Sequence, residues 1–471
     1  MQTSNVRIAK IGIQNFKNVI SGDLPLDNSR KNYRASVVGL YGQNGSGKTA
    51  IIDAVELLKI SLCGQPIPDR FADSINIDSS EAVLSFDFHV DTAKGTRTVT
   101  YEFGIKCSAD EIKQNTGDAQ GPSRKVIFTH EIIKCPILSE KQVKTGRLID
   151  TDGDNVFSPR PKRKLLAGND KNVITELVVA KKICNQVSRS FVFSVELLSV
   201  IRKRAESDRS EELQYYVSLI ESLVEFGNHC LFVIKTENSG LISLNALPIM
   251  FRHVEQNVGT IGEIVCSLDN PFTVPQKVMG FMEKIINGMN IVLEKIVPGL
   301  TVSIRDLGKQ VLDNGETGVL IQLMSEKNGK KIPLRSESEG IKKIFSILQL
   351  LIVVYNQSSV TVAIDELDSG IFEYLLGEIL RIISEKGKGQ LIFTSHNLRP
   401  LETLDRGFIA FTTTNPANRY IRLVNVKENN NLRDFYYRDI MLGEQNEPLY
   451  ESTNNSEIAI AFREAGEMCG A

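Results

Sequence analysis

Eight consecutive residues form a glycine-rich loop with the chemistry needed to hold a phosphate chain. Gly42-Gln43-Asn44-Gly45-Ser46-Gly47-Lys48-Thr49 fits the pattern G-x-x-x-x-G-K-[ST] at every fixed position. Backbone N–H groups of such a loop, and of the helix after it, bind the oxygens of a β-phosphate. Lys48 would reach the β- and γ-phosphates, and the Thr49 hydroxyl would hold Mg²⁺. The motif predicts that the chain binds a nucleoside triphosphate.

A strand and a helix must flank this loop if the prediction is correct. Residues 36–41 form a short apolar run, which is typical of a buried strand. Residues 50–59, beginning with Ala50, carry apolar side chains at helical spacing. The strand–loop–helix context favours a phosphate-binding loop over a chance glycine-rich turn.

Two adjacent carboxylates follow a second apolar run far along the chain. Asp365 and Glu366 come directly after residues 360–364, which we interpret as a buried strand. In phosphoryl transfer one acid can position Mg²⁺ and the next can polarise the attacking water. A strand that merely ends in surface acids is the alternative. The phosphate-binding loop in the same chain favours the catalytic interpretation.

His396 follows a third apolar run, residues 390–394. An imidazole at this place can contact the γ-phosphate or the attacking water, and so respond to bound nucleotide. The alternative is an ordinary polar loop residue. Its position thirty residues after the carboxylate run favours the functional interpretation.

Ser338-Glu339-Gly340 precedes a predicted helix. Ser338 can cap this helix, Gly340 permits close approach, and the free N–H groups of the first turn can bind a phosphate. A plain helix cap would explain the same residues equally well.

The remaining pattern indicates a chain that changes from strands to helices and back. Strands are predicted at residues 6–13, 36–41, 81–90, 97–106, 125–133, 144–150, 301–305, 318–324, 360–364, 390–394, 408–413 and 420–426. Helices are predicted at residues 50–59, 172–187, 208–226, 275–297, 340–355 and 371–386, with a weaker one at 249–266 and loops over 151–170. We therefore expect four units: an N-terminal lobe 1–170, a mainly helical insertion 171–300, a C-terminal lobe 301–426 and an extension 427–471.

Composition narrows the class of protein. The 471 residues are 42% apolar and 24% charged, with a formal net charge of −2, so no overall basic field attracts nucleic acid. Short basic runs at 160–164 and 201–204 could bind phosphates, although solvated surface charge is the more common explanation. Seven scattered cysteines without a C-x-x-C pair argue against a disulfide framework or a zinc site.

The same sequence predicts a cytoplasmic protein without a membrane anchor. The longest apolar stretch, residues 345–355, is too short to span a bilayer, and the first residues show no signal-peptide pattern. Dispersed cysteines also suit a reducing compartment.

The order of the motifs resembles that of ABC-type ATPase heads, in the branch that contains SMC, RecF and OLD proteins. The opening Ile11-Gly12-Ile13-Gln14-Asn15-Phe16-Lys17-Asn18 is similar to the first strand and turn of that branch. Lys48 and Asp365 lie 317 positions apart, which leaves room for a large insertion. Ser338-Glu339-Gly340 looks like the short S-x-G form of the family signature.

The resemblance implies an α/β fold: a P-loop ABC-type head with a mixed sheet, an antiparallel β lobe and a largely helical insertion. It implies ATP and Mg²⁺ as ligands, with Asp365 and Thr49 at the metal, Glu366 as general base and His396 as a switch. It places Asp368 in a turn, the D-loop, that contacts nucleotide across a dimer interface. Ser338 and Gly340 of one copy would face the γ-phosphate held by another. Gln65 and Gln43 are the candidates for the family's Q-loop glutamine.

The resemblance is incomplete at the C-terminal end. OLD proteins usually continue into a TOPRIM nuclease, whereas the 75 residues after His396 show no run of acidic motifs. We therefore expect a stand-alone OLD-like ATPase that controls a separate nuclease or toxin in bacterial anti-phage defence. A RecF- or SMC-like DNA-maintenance ATPase is the alternative, and a scaffold that binds nucleotide with almost no hydrolysis is a third hypothesis.

Overall fold

The structure is a computed structural model that describes most of the chain. The described residues are 5–28, 34–92, 95–109, 124–137, 145–153, 155–235, 246–255, 258–267, 271–312, 315–423, 431–443 and 445–468.

A central sheet carries the predicted chemistry at one of its edges. Its six described strands lie in the order Tyr420–Ile421, Ile409–Thr412, Ser36–Tyr41, Gln390–Thr394, Thr361–Ile364 and Leu231–Ile234. All are parallel except the first, which pairs antiparallel with its neighbour. Because parallel strands end at the same edge, the segments that follow three of them meet there. These are the P-loop (residues 42–49), Asp365 and His396.

A second sheet is entirely antiparallel. Its six described strands lie in the order Val19–Pro25, Val6–Phe16, Ala82–Thr92, Gly95–Ala109, Arg124–Pro136 and Thr145–Asp150. In Ala82–Thr92 every second side chain from Ala82 to Val90 is buried, as a sheet with one covered face requires. The predicted α/β class with a mixed sheet and an antiparallel lobe is confirmed.

Two smaller sheets complete the strands. Phe272–Pro275 and Leu300–Val311 flank Thr317–Lys327, which also pairs with Lys330–Pro333. The predicted helix at 249–266 is wrong: this segment is an antiparallel pair, Ala246–Glu255 and Val258–Ser267.

The α-helices agree with the predicted ones in most places. In the described ranges they are Lys48–Leu62, Arg160–Ala167, Lys171–Gln186, Val195–Ser207, Glu211–Glu225, Gln276–Ile296, Glu339–Asn356, Glu373–Lys386, Pro400–Thr403, Leu432–Leu442 and Asn455–Met468. Arg160–Ala167 lies where loops were predicted. Its Pro161 suggested a loop, but proline is compatible with the first turn of a helix, where the missing N–H has no partner to lose.

Strand Leu231–Ile234 joins the segment 171–300 to the central sheet, where it pairs with Thr361–Ile364. The segment 171–300 therefore contributes a strand to the central sheet as well as helices. The last predicted strand, 420–426, is short: it covers Tyr420–Ile421, and residues 424–430 lie outside the described part. The division into four units stays a prediction.

The central sheet separates two hydrophobic cores. Val38 and Ile392 pack in one core with the antiparallel sheet and the helix after the P-loop. Val37 and Leu391, their neighbours in sequence, pack in the other with helix Glu339–Asn356. Alternation along each strand thus buries both faces of the sheet, which fixes the edge where the site lies.

Candidate functional site

The P-loop has a backbone shape that only glycine allows at two of its positions. Gly42 has φ 152°, and a Cβ there would lie 1.9 Å from Thr412 Oγ1. Gly47 has φ 91° and caps the helix Lys48–Leu62 without a side-chain hydrogen bond. The first N–H groups of that helix are thus left for a ligand, as in phosphate-binding loops.

A cavity of about 470 Å³ lies at this loop and joins distant parts of the chain. Lys48 and Thr49 line it from the loop, Asp365 and Glu366 from the carboxylate strand, and His396 from the third strand end. Other predicted nucleotide contacts that line it are Asn44, Gly45, Gly47 and Ala50. The structure therefore brings together residues that are more than three hundred positions apart, although their roles in binding and catalysis stay predictions.

The Lys48 ammonium lies over the start of the loop. Its Nζ donates to the carbonyl oxygens of Gly42, at 2.8 Å, and Gln43, at 2.9 Å. Burial lowers the pKa of Lys48, whereas the nearby carboxylates of Asp365, Glu366 and Asp368 act to raise it. The ammonium is thus close to where phosphate oxygens would enter.

Thr394 organises the carboxylate strand through one hydroxyl group. Its Oγ1 donates to Asp365 Oδ1 at 2.5 Å and accepts from the Glu366 N–H at 2.7 Å. Asp365 is 2% exposed, and Glu366 turns the chain with φ 48°, a left-handed conformation that costs a non-glycine residue about 1 kcal/mol. Glu366 lines the cavity at this turn.

Asp368 braces the loop that carries His396. Its Oδ2 accepts from the backbone N–H groups of His396, at 3.1 Å, and Asn397, at 3.0 Å. Within the one chain described, Asp368 therefore contacts the histidine loop, and its contact with nucleotide across a dimer interface stays a prediction. His396 itself is exposed.

The S-x-G signature stands apart from the cavity of its own chain. Ser338 is exposed and caps the helix Glu339–Asn356, accepting from the Ile341 N–H at 3.4 Å. A Cβ on Gly340 would lie 2.2 Å from the Gly370 carbonyl oxygen, so this glycine is needed for contact with the D-loop turn (residues 367–370). Neither Ser338 nor Gly340 lines the cavity.

Several functional candidates escaped sequence analysis. Lys17 and Asn18 line the cavity from the turn after the first strand, and Thr394 lines it beside the acids. Lys17 forms an ion pair with the buried Asp53, which also lies 2.8 Å from Lys235 Nζ. Lys17 and Asn18 are the last two residues of the opening stretch 11–18, and its resemblance to other ATPase heads was the sequence signal that could have identified them.

Lys343 is a further missed residue. It is 4% exposed on the helix that begins with the signature. Burial lowers the pKa of Lys343, against the effect of Glu366, Asp368 and Asp365. The helix that the signature begins thus carries a buried lysine whose pKa responds to the same three acids.

The remaining predicted residues of the loop, Gly42, Gln43 and Ser46, do not line the nucleotide cavity. Gly42 and Gln43 line a neighbouring cavity, and Ser46 contacts Thr412, with 2.5 Å between their Oγ and Oγ1 atoms. Gln65 is exposed and does not line the nucleotide cavity, so its assignment as the Q-loop glutamine stays a prediction.

The donor set at the cavity suits Mg²⁺. Thr49 and Asp365 supply a hydroxyl and a carboxylate oxygen to the same cavity, and Mg²⁺ bound with phosphates needs few further protein ligands. In the part of the chain that the structure describes, no cluster of three His, Cys, Asp or Glu side chains suggests another metal.

Both basic runs form ion pairs. Lys162 Nζ lies 2.6 Å from Glu212 Oε1, and Arg202 Nε lies 2.7 Å from Glu221 Oε1. Arg204 pairs with Asp208 at 3.0 Å. These contacts favour the interpretation of surface charge over a nucleic-acid site. Among the helices in the described ranges, none is long and apolar enough to cross a membrane.

Part of the chain matches a described protein family. Residues 291–402 match the family "AAA domain, putative AbiEii toxin, Type IV TA system". This segment contains the signature, the two acids and His396, but not the P-loop.

A curated relative and several solved structures are also similar. The DNA replication and repair protein RecF of Deinococcus radiodurans is 28% identical over 115 residues, which cover 24% of this chain and 29% of the relative's length. The SMC head domain from Thermotoga maritima has 14% identity and a TM-score of 0.37, covering 88% of this chain and 99% of that one. A solved structure of the recombination mediator protein RecF-ATPrS in the RecFOR pathway has 13% identity and a TM-score of 0.33. The match covers 84% of this chain and 94% of that one. TM-scores of this size indicate only partial similarity of overall shape.

Proposed function

We propose that this chain is an SMC/RecF-type ABC ATPase that hydrolyses ATP between two copies of itself. The observation that carries the proposal is the cavity that Lys48, Thr49, Asp365, Glu366 and His396 line together. It combines a phosphate-binding loop with two acids placed for phosphoryl transfer to water.

Each residue has a role that follows from its position. Lys48 would exchange the two loop carbonyls for β- and γ-phosphate oxygens, and its charge would stabilise the negative charge there. Thr49 and Asp365 would hold Mg²⁺, which neutralises charge on the phosphate oxygens when bound. Glu366 would take a proton from water as the water oxygen bonds to the γ-phosphorus and the bond to the ADP oxygen breaks. His396 would orient the γ-phosphate.

The site needs a second copy to be complete. Ser338 and Gly340 do not line the cavity of their own chain, and the exposed Ser338 caps a helix whose first N–H groups can bind a phosphate. A symmetric pair would place each signature opposite the P-loop of the other chain.

Substitution of Glu366 and Lys48 tests the proposal. Glu366→Gln should lower turnover about 10²- to 10⁴-fold and retain bound ATP, because the base is lost while the binding groups remain. Lys48→Ala should abolish ATP binding, measured with a fluorescent nucleotide. Glu385→Gln, a surface carboxylate that pairs with Arg381 at 3.6 Å, is the matched control and should leave both unchanged. Wild-type turnover in both site variants would reject the proposal.

The biological role that we propose is OLD-like control of a separate nuclease or toxin in anti-phage defence. The description of the matched family names a putative toxin of a toxin–antitoxin system, which supports this direction. ATP-dependent co-elution with the product of a neighbouring reading frame tests it. Co-elution that is the same with and without ATP, and the same in the Lys48→Ala variant, would contradict control by this site.

DNA maintenance is the second candidate, favoured by the partial similarity to the DNA replication and repair protein RecF. The ion pairs of the two basic runs weigh against it. DNA affinity that falls steeply with salt in the purified chain would favour this candidate instead.

A further inference from the structure

A second cavity of about 430 Å³ lies beside the P-loop. Tyr436, Tyr437 and Tyr450 line it from the C-terminal segment, and Gln43, Asn44 and His396 line it from the nucleotide side. We call it the tyrosine cavity. It shares Asn44 and His396 with the nucleotide cavity, so the two openings are neighbours.

The C-terminal segment is attached firmly enough to form a wall. The rings of Tyr436 and Phe411 have centroids 4.9 Å apart, which ties the helix Leu432–Leu442 to the central sheet. The Glu451 N–H donates to Gln43 Oε1 at 3.0 Å, which ties the segment to the P-loop. Binding of a group in this cavity would thus act on a segment that is hydrogen-bonded to the P-loop.

The position of the cavity argues against the base of the nucleotide as its occupant. Glu366 and His396 mark the end of the nucleotide cavity where the γ-phosphate must lie. The tyrosine cavity opens from that end, whereas Lys17, Asn18 and Ala50 line other parts of the nucleotide cavity and not the tyrosine cavity. A base is separated from the γ-phosphate by the full triphosphate and ribose. A group that approaches from outside the chain fits better.

Phe372 is an aromatic group in the correct place to approach. It is 71% exposed and follows the D-loop glycine, Gly370, by two residues, which is at most about 7 Å of chain. Gly370 is in contact with Gly340 of the signature. Wherever a signature docks, its Phe372 must therefore arrive close beside it.

We propose that, when two copies close on ATP, Phe372 of one copy enters the tyrosine cavity of the other. The inference rests on the proposed function, because it needs Ser338 and Gly340 to face the partner's γ-phosphate. That arrangement brings Phe372 to the rim formed by Asn44 and His396. Three tyrosines offer ring edges and faces to a phenyl group, and burial removes an exposed aromatic side chain from water in each half of the pair. The C-terminal segment then becomes part of the closed interface.

Truncation of Phe372 is the first test. In a Glu366→Gln background, sedimentation should show an ATP-dependent dimer, and Phe372→Ala should weaken that dimer at least about tenfold. Val195→Ala is the matched control, because Val195 is also 71% exposed and begins a different helix, Val195–Ser207. Nucleotide binding by the Phe372→Ala monomer should be unchanged.

Cross-linking tests the geometry directly. Phe372→Cys and Tyr437→Cys, combined in a chain whose native cysteines other than the buried Cys135, Cys184 and Cys230 are replaced by serine, should give a covalent dimer with a short bis-maleimide only when ATP is present. The same chain without the two new cysteines, and the same chain with Lys48→Ala, should give none.

The outcomes separate the two proposals. No ATP-dependent dimer in the parent would overturn both. A normal dimer that ignores Phe372→Ala and does not cross-link would overturn the inference and leave the proposed function intact. Weaker nucleotide binding by the Tyr437→Ala monomer would mean that the cavity holds the base, which would also overturn the inference.

Discussion

A single hydroxyl group connects the two acids of the candidate site. Thr394 donates to Asp365 and accepts from the Glu366 backbone, so it fixes both the carboxylate that we propose for Mg²⁺ and the turn that carries the proposed base. Because the hydroxyl does not itself react with substrate, Thr394 is a positioning residue. Its influence should appear in turnover before it appears in binding.

Thr394→Val keeps the shape of the side chain and removes the hydroxyl. We expect turnover to fall about 5- to 150-fold, which corresponds to the 1–3 kcal/mol that a lost buried partner costs. The dissociation constant for ATP should change little, and Thr394→Ser should restore activity. Thr175→Val, on the helix Lys171–Gln186, removes an exposed hydroxyl and is the control. Wild-type turnover of Thr394→Val would contradict the positioning role.

The residues that sequence analysis found are those whose neighbours in sequence explain them. Lys48 stands in a contiguous motif, and Asp365 and Glu366 end an apolar run that reads as a strand. Thr394 and Lys343 act through neighbours from other elements, so no local pattern announces them. Lys17 was visible in the opening motif, but its contact with the cavity depends on the folded turn.

At the scale of elements, the signature helix and the D-loop form one unit. The first turn of Glu339–Asn356 lies against Gly370, with no room for a side chain at Gly340. Movement of the helix must therefore move the turn, and with it Asp368, which holds the histidine loop. This contact gives a physical route from the signature, where we propose that the second copy binds, to His396.

Gly340→Ala should break that contact. The added methyl group would meet a backbone oxygen, which cannot rotate away, so we expect a loss of about 1–3 kcal/mol in the free energy of unfolding. Turnover should also fall. Gly280→Ala, on the helix Gln276–Ile296, places the same methyl group in open space and should stabilise by about 1 kcal/mol. Denaturant titration measures both, and equal effects would contradict the packing argument.

The wrong and missed elements have local causes. A mixed apolar pattern over 249–266 fits a helix as well as two strands, and only pairing between Ala246–Glu255 and Val258–Ser267 decides. Leu231–Ile234 has four residues directly after helical structure, too few for periodicity to distinguish. Long strands with clear alternation, such as Ala82–Thr92, were predicted correctly.

At the scale of the whole molecule, segments that are far apart in the sequence lie side by side in the central sheet. The P-loop strand Ser36–Tyr41 lies directly between Gln390–Thr394 and Ile409–Thr412. Of the roughly three hundred residues between the P-loop and its acids, Leu231–Ile234 joins this sheet beside Thr361–Ile364, and the loop and the acids still line one cavity. The order of the motifs in the sequence implied that the P-loop and the acids meet, whereas the order of the strands in the sheet could be determined only from the structure.

The central claim is that the site forms between two copies, and mixing two inactive variants tests it most directly. Lys48→Ala lacks a working P-loop, and Ser338→Arg blocks the signature with a bulky side chain at an exposed position. Each variant alone should be inactive. In an equal mixture about half of the dimers contain one copy of each variant. Each mixed dimer has two sites, and one of them combines an intact P-loop with an intact signature. The account therefore predicts activity of about one quarter of wild type. A mixture with no more activity than its two components would contradict the account.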